Sequence, residues 1–154
     1  ILAIRSLPDG DYALAIDGIP VGAWSAGAFK AGINLAPLTT TPQYYQALEV
    51  KHLNDERVKE ASRLRTAALV YYGSGLFDSG VDPKDATAVQ EILNKRLQAF
   101  ESEPWYAYMK QQYDAYLGIK ADEDAIRANL EKLHQKLYQA NQPVARRYQL
   151  TRKP

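Results

Sequence analysis

The stretch LPDGDYALAIDG, residues 7–18, contains two turn sequences with an alternating segment between them. In the first turn, PDG at 8–10, proline fixes φ, aspartate can hydrogen-bond the backbone, and glycine tolerates positive φ. The segment DYALAI at 11–16 alternates apolar residues with small or acidic ones, which is the period of a half-buried strand. The second turn, DG at 17–18, is typical of β-hairpins. These residues predict a hairpin near the start of the chain.

The flanking segments extend this β-rich region. Residues 1–4, ILAI, are apolar and predict a further strand, and residues 19–24, IPVGAW, predict the return strand of the hairpin. A Gly/Ala-rich connection at 25–36 leads out of the sheet. The composition changes near residues 36–42, where helical patterns begin.

The rest of the chain carries helical periodicity. Thr-Thr-Thr-Pro at 39–42 predicts a helix start, with a threonine N-cap and proline in the first turn. Apolar stripes predict helices over 42–72, 83–102, 104–117 and 122–140. The breaks between them are Gly73-Ser74-Gly75, a loop at 77–80, Pro104 and Gly118. Residues 146–152 alternate basic and apolar residues, which predicts a final strand able to return to the N-terminal sheet.

These elements predict an α+β fold. A small N-terminal antiparallel β-sheet, completed by the C-terminal strand, packs on a body of three or four helices. We divide the chain into a β-hairpin module at 1–38 and a helical body with its terminal strand at 39–154, and we expect them to form one compact unit.

Composition excludes several classes of function. The chain has 154 residues, of which 46% are hydrophobic and 24% are charged. Its net charge of +1 creates no strong electrostatic field that would attract nucleic acid or an anionic membrane. Cysteine is absent, which excludes disulfides, thiolate nucleophiles and thiolate metal sites. No apolar run approaches the roughly 20 residues of a membrane span, and no signal-peptide pattern is present. The chain begins within a predicted strand at Ile1, so we expect a longer natural gene product.

Five short elements, in order, resemble the region that follows the catalytic domain in bacterial SGNH (GDSL-like) ester hydrolases. There, a hairpin of the form glycine, aromatic, apolar, any residue, apolar, Asp-Gly precedes a Gly-apolar-Asn-Leu-Ala segment and a long helix. The resemblance covers residues 1–50, and beyond them only the helical character agrees. The matching elements are the hairpin at 7–18, Val21-Gly22, Gly32-Ile33-Asn34-Leu35-Ala36, Thr41-Pro42 and Gln46-Ala47.

The catalytic residues of that family have no complete counterpart in this chain. The family uses a Gly-Asp-Ser nucleophile block, a Gly and an Asn as oxyanion donors, and a late Asp-x-x-His that supplies the base. Because the family's hairpin follows its catalytic histidine, the resemblance implies a triad encoded before Ile1, and we assign no catalytic residue here. The partial matches are Asp78-Ser79-Gly80 in the wrong order, Gly32-Ile33-Asn34 followed by Leu35 instead of Asp, and Glu131-Lys132-Leu133-His134 with the right spacing only.

The resemblance therefore implies a non-catalytic accessory C-terminal portion, or processed chain, of an SGNH-type esterase or acylhydrolase. Its partner would be the SGNH catalytic portion, in the same or a separate chain, which it would support or whose substrate cleft it would frame. The parent enzyme would cleave esters, including esters on carbohydrate, without a metal or organic cofactor. By the same resemblance we expect a secreted or periplasmic protein.

One helix supports an alternative function. Trp105, Tyr106, Tyr108 and Tyr113 form an aromatic set that could bind a glycan or a protein, because each tyrosine offers a ring to stack and a hydroxyl to hydrogen-bond. The ordinary interpretation gives Trp105, Tyr108 or Met109, and Tyr116 to the core and the others to the surface.

The two histidines support a third hypothesis, a complete small enzyme with a site around His52 or His134. Ordinary surface or structural roles explain both residues better, since no serine lies within a helical turn of His52 and Glu131 pairs with His134 at helical spacing. No His-x-x-x-His pair or dense carboxylate set supports a metal site.

Overall fold

The computed structural model describes residues 1–154 and has the predicted α+β class. No helix is both long enough and apolar enough to span a membrane. The strands are β1 (Asp11–Ile16), β2 (Ile19–Ser25) and β3 (Tyr148–Arg152), and the helices are α1 (Ala26–Ala31), α2 (Pro42–Gly73), α3 (Leu76–Ser79), α4 (Ala86–Gln98), α5 (Tyr106–Ala121) and α6 (Glu123–Ala140).

The chain divides into two compact units. The first unit contains residues 1–53 and 136–154, and the second unit contains residues 54–135. The division falls within α2 and α6, each of which contributes residues to both units, and not near residue 38, where the composition changes.

The first unit is built on a three-stranded antiparallel sheet of order β2-β1-β3. The predicted return of the C-terminal strand is confirmed, because β3 pairs with β1 and places Leu150 opposite Leu14. The alternation in β1 is also confirmed: Tyr12, Leu14 and Ile16 are buried on one face, where they pack with Phe29 of α1. The sheet therefore has one core face, as the sequence period requires.

One expectation for the first unit was wrong. Residues 1–4 form no strand, and only Leu2 pairs, in an isolated bridge with Ile33. The Gly/Ala-rich connection contains a helix, α1, that no pattern in the sequence predicted. The Ser25 side chain accepts a hydrogen bond from the Ala28 amide and so caps this helix, while the fully buried Phe29 anchors it to the sheet.

The second unit is helical, and its core confirms most of the predicted stripes. Its helical ends differ from expectation in three places: a short helix, α3, replaces the expected loop, α4 covers less than 83–102, and α5 starts later than 104 and passes Gly118. Asp85 sets the start of α4, because its carboxylate accepts from the Ala88 amide. The core residues are Ala67, Val70, Leu76, Val89, Leu93, Leu97, Tyr113, Tyr116, Ile119 and Ile126.

Candidate functional site

The second unit contains a pocket of about 270 Å³. Three parts of the unit form it: the C-terminal half of α2, the segment before α4, and the corner where α5 gives way to α6. Its wall is mainly apolar, and three charged side chains stand on the α5–α6 side. The lining residues are Leu64, Ala67, Ala68, Tyr71, Pro83, Tyr116, Lys120, Glu123 and Arg127.

Small residues of α2 help to create this space. Ala67 and Ala68 place only methyl groups where a longer side chain would reach across the pocket. Tyr116 lies opposite on α5 and is only 1% exposed, and burial raises the pKa of its hydroxyl. The pocket is thus an apolar recess flanked by a tyrosine that stays protonated at neutral pH.

The charged side of the pocket is a linked ion cluster. Lys120 Nζ lies 2.6 Å from one oxygen of Glu123, and Arg127 donates to the other oxygen through Nη2 at 2.6 Å and Nε at 3.0 Å. The Lys120 hydrogen bond, and next the one from Arg127, lower the pKa of Glu123, while Glu123 raises the pKa of Lys120. The side chains of Lys120 and Glu123 are only 29% and 23% exposed, whereas that of Arg127 is 62% exposed, so the Lys120–Glu123 pair is partly withdrawn from water and Arg127 stands at its outer edge.

The predicted aromatic set divides between surface and core. Trp105 and Tyr108 are 41% and 58% exposed, and we call these two residues the aromatic surface. Tyr106 is half-buried and lines an open polar groove. Tyr113 is 1% exposed and belongs to the core, so its ring is not available to a ligand.

One residue of the aromatic surface, Trp105, packs against the neighbouring side chain of Phe100, which in turn lies beside Arg96. The ring of Trp105 lies 4.3 Å from that of Phe100, centroid to centroid, and the Arg96 guanidinium stands 4.8 Å from the Phe100 centroid. Such packing fixes the orientation of Trp105 while leaving part of its ring in solvent.

The histidines and the candidate serine are not brought together in one pocket. His52 is exposed on α2 within the first unit. His134 is exposed on α6 within the second unit, where it borders a shallow groove with Arg57 and Glu131. The Ser79 hydroxyl donates to the Leu76 carbonyl and accepts from the Val81 amide, so it stabilises its own turn.

The Gly-x-Asn segment that resembles an oxyanion block also has local structural roles. The Asn34 side chain accepts a hydrogen bond from the Ala36 amide at 3.1 Å. Ile33 is buried in the sheet core and exchanges backbone hydrogen bonds with Leu2. No group of three or more His, Asp or Glu residues is arranged to hold a metal ion.

The first unit has a second recess, of about 390 Å³, between the start of α2 and β3. The Gln43 amide donates to the Tyr148 hydroxyl at 2.7 Å across this recess, while its own carbonyl oxygen is buried without a partner. Ile1 and Leu2 also line this recess. Sequence patterns pointed to neither recess, because each is assembled from segments far apart in the chain.

Comparison with known proteins gives one informative match. No protein family model and no curated protein matches the sequence. Among solved structures, the chain is similar to BT4096, a gut microbial diltiazem-metabolizing enzyme, with 31% identity and a TM-score of 0.79. The match covers 99% of this chain and 33% of that enzyme, so the chain spans about a third of the enzyme's length.

Proposed function

We propose that this chain is a non-catalytic accessory portion of a larger enzyme, an SGNH-type ester hydrolase. The observation that carries the proposal is the extent of the structural match: nearly all of this chain corresponds to one third of a longer enzyme. A fold that recurs as part of a longer enzyme leaves room for catalytic residues elsewhere in the polypeptide. The SGNH assignment rests on the resemblance of residues 1–50 to that family. The expected secreted or periplasmic location rests on the same resemblance.

The surroundings of the partial catalytic motifs support a non-catalytic role. A serine nucleophile needs a base within hydrogen-bond reach. The Ser79 hydroxyl instead serves backbone groups of its own turn, and Asn34 holds the backbone that leads to Ala36. His134 is exposed beside Arg57 and Glu131, where an ordinary surface role suffices.

An exposed apolar region of the second unit fits the expected role of covering a catalytic portion. Leu69, Tyr72 and Phe77 are 64%, 65% and 56% exposed, and the Tyr72 and Phe77 rings lie 5.4 Å apart. Contiguous exposed apolar side chains mark interaction sites in many proteins. In the proposed parent enzyme these residues are candidates for contact with the catalytic portion.

The proposal is tested by assaying the isolated chain on p-nitrophenyl acetate and on diltiazem. We expect no turnover above the buffer rate with either compound. Turnover that disappears in Ser79→Ala, His52→Gln or His134→Gln, and persists in the exposed variant Ser102→Ala, would refute it.

The coding sequence upstream of Ile1 provides the complementary test. We expect it to encode a Gly-Asp-Ser block followed by an Asp-x-x-His, and the longer protein to hydrolyse p-nitrophenyl acetate. A longer protein whose upstream region lacks both motifs would contradict the SGNH assignment, even if the chain proved to be accessory to another enzyme.

The exposed part of the aromatic surface favours one alternative, a glycan- or protein-binding module. Trp105 and Tyr108 are both exposed at the start of α5, and exposed tryptophan and tyrosine are common anchors of binding sites. Saturable binding on a glycan array that is lost in Trp105→Ala and kept in Tyr138→Ala, another exposed aromatic, would support this function. Equal binding by both variants would exclude the aromatic surface as the site.

A further inference from the structure

We propose that the pocket of the second unit binds a small organic anion, a compound with one carboxylate or similar group on an aromatic or short apolar body. This site does not depend on the accessory role proposed above, and all of its residues belong to one compact unit.

The shape and lining of the pocket set the size and polarity of the body. Its volume of about 270 Å³ lies just below the roughly 300–1,000 Å³ typical of ligand pockets, which suits one ring with a short chain. Leu64, Ala67, Tyr71 and Pro83 present apolar surface, and Tyr116 adds a ring on the opposite side. A polar body would lose its hydration here without gaining partners.

The charge at the pocket determines the sign of the ligand. Two cations, Lys120 and Arg127, face a single carboxylate, Glu123, so the cluster carries one net positive charge. Each oxygen of Glu123 already accepts from one of the cations, which leaves it little capacity to attract a cationic ligand.

The same cluster retains hydrogen-bond donors for an anion. A lysine ammonium has three N–H donors and an arginine guanidinium has five. Lys120 uses one of these on Glu123, and Arg127 uses Nε and Nη2, so Nη1 and the remaining ammonium hydrogens have no protein acceptor. A carboxylate at the mouth of the pocket would accept charge-assisted hydrogen bonds from them.

Partial burial makes this arrangement more effective than one on an open surface. The Lys120 side chain is 29% exposed and lies beside apolar wall, where the effective dielectric is lower than in water. Lys110, on the same helix, also pairs with a nearby acidic residue, Asp114, but its side chain is 51% exposed and it lines only an open polar groove. The two lysines therefore form a matched pair for experiment.

The first experiment compares three probes of the same shape: phenylbutyrate, phenylbutanol and phenylbutylamine. Each is titrated into the isotope-labelled chain of 154 residues while backbone amide signals are followed by NMR. We expect saturable shifts for phenylbutyrate, concentrated in residues 64–71 and 116–127, and at least about tenfold weaker binding of the neutral alcohol, since the alcohol cannot accept charge-assisted hydrogen bonds as a carboxylate does. Tighter binding of the amine, or no saturable shifts with any probe, would overturn the proposal.

The second experiment locates the site with paired substitutions. Lys120→Gln and Arg127→Gln remove the cations, and Ala68→Leu fills the recess from its exposed edge; each should weaken phenylbutyrate binding about tenfold or more. Lys110→Gln and Ala128→Leu are controls on exposed positions outside the pocket and should bind as the unmodified chain does. Amide spectra confirm folding of each variant, and an equal loss in the controls would refute the location.

Discussion

Arg146 donates a hydrogen bond to Asp17 over 3.0 Å, although 129 residues separate them in the chain. Asp17 also accepts from the Arg147 amide at 2.8 Å, and its own amide donates to the Arg147 carbonyl. Arg146 extends the link to α2, because its second nitrogen donates to Gln46. The hairpin turn and the segment before β3 thus meet at the Asp17 carboxylate, and Arg146 connects both of them to the start of the long helix.

This arrangement predicts a pH-dependent contribution to stability. The backbone hydrogen bond from Arg147, and next the side-chain hydrogen bond from Arg146, lower the pKa of Asp17 below its usual value of 3.8. A carboxylate with a lowered pKa contributes stability above its unfolded-state pKa and loses that contribution as pH falls through its folded-state pKa. We therefore expect Asp17→Asn to lower the free energy of unfolding at about pH 7 and to approach the unmodified chain at about pH 2.

Urea denaturation followed by Trp24 fluorescence, in chains that also carry Trp105→Phe, measures this effect in the first unit. Asn tolerates the positive φ of 52° found at position 17, so the substitution tests the charge and not the turn. Asp9→Asn is the control, because the Asp9 side chain makes no hydrogen bond in the structure. A gap between Asp17→Asn and the unmodified chain that stays constant across this pH range would contradict the assignment.

Local sequence chemistry predicted the elements whose boundaries depend on neighbouring residues. The hairpin follows from its two turns and its alternation, and α2 ends at Gly73 because Gly73-Ser74-Gly75 interrupts the pattern. The return of the C-terminal strand to the N-terminal sheet was also predictable, because an alternating strand needs a partner and the sheet offered an edge, whereas its pairing with β1 and not β2 was not.

Tertiary packing decided the features that the sequence did not reveal. The Gly/Ala-rich connection forms α1 because Phe29 fills the sheet core, and no local pattern records that destination. Tyr113 lies within α5 and Trp105 immediately precedes that helix, but only the core of the second unit determines that the first is buried and the second is exposed. The candidate ligand pocket is lined by residues from several segments between positions 64 and 127, so no local pattern predicts it. In the sequence, its charged residues have the three- and four-residue spacings of ordinary ion pairs on a helix.

The glycine that was expected to end α5 offers a stabilising substitution. Gly118 lies within this helix, its φ is not positive, and an added Cβ would meet no atom within 4 Å. Gly118→Ala should raise the free energy of unfolding by about 0.5–1 kcal/mol, because alanine loses less backbone entropy in a helix. Thermal unfolding followed by circular dichroism should show a Tm increase of about 1–4 °C.

Gly80→Ala is the matched control for that substitution. Its added Cβ would also meet no atom within 4 Å, but Gly80 has φ +68°, a conformation that strains any L side chain. It should therefore lower the Tm, and a decrease caused by Gly118→Ala as well would show that Gly118 is needed for a reason other than helix propensity.

Gly22 in β2 should be intolerant of any side chain. An added Cβ would come within 2.4 Å of the Trp24 ring, which packs over this position on the same face of the strand. Gly22→Ala must displace that ring, and we expect a loss of about 1–3 kcal/mol, the usual cost of overpacking. Gly27→Ala, in α1, meets nothing closer than 3.8 Å and should be neutral or stabilising. Urea denaturation that ranks Gly22→Ala at or above Gly27→Ala would contradict this account.

Two buried tyrosines should respond differently to loss of the hydroxyl. Tyr12 donates to the Pro8 carbonyl at 2.8 Å, which ties β1 to the turn before it. Tyr113 is buried near Arg96, but its hydroxyl makes no hydrogen bond, and burial raises its pKa. Removing a satisfied hydrogen bond costs about 0.5–1.5 kcal/mol, whereas removing an unsatisfied polar atom removes only its desolvation penalty.

We therefore expect Tyr12→Phe to lower the free energy of unfolding by about 0.5–1.5 kcal/mol and Tyr113→Phe to leave it unchanged or raise it. The chain has two tryptophans, one in each unit, so the fluorescence of Trp24 reports on Tyr12 and that of Trp105 on Tyr113. Each variant is combined with Phe at the other tryptophan, so that a single unit is followed in each urea titration. A loss of stability in Tyr113→Phe equal to that in Tyr12→Phe would mean that the Tyr113 hydroxyl is bonded in solution, with Arg96 as its nearest candidate partner.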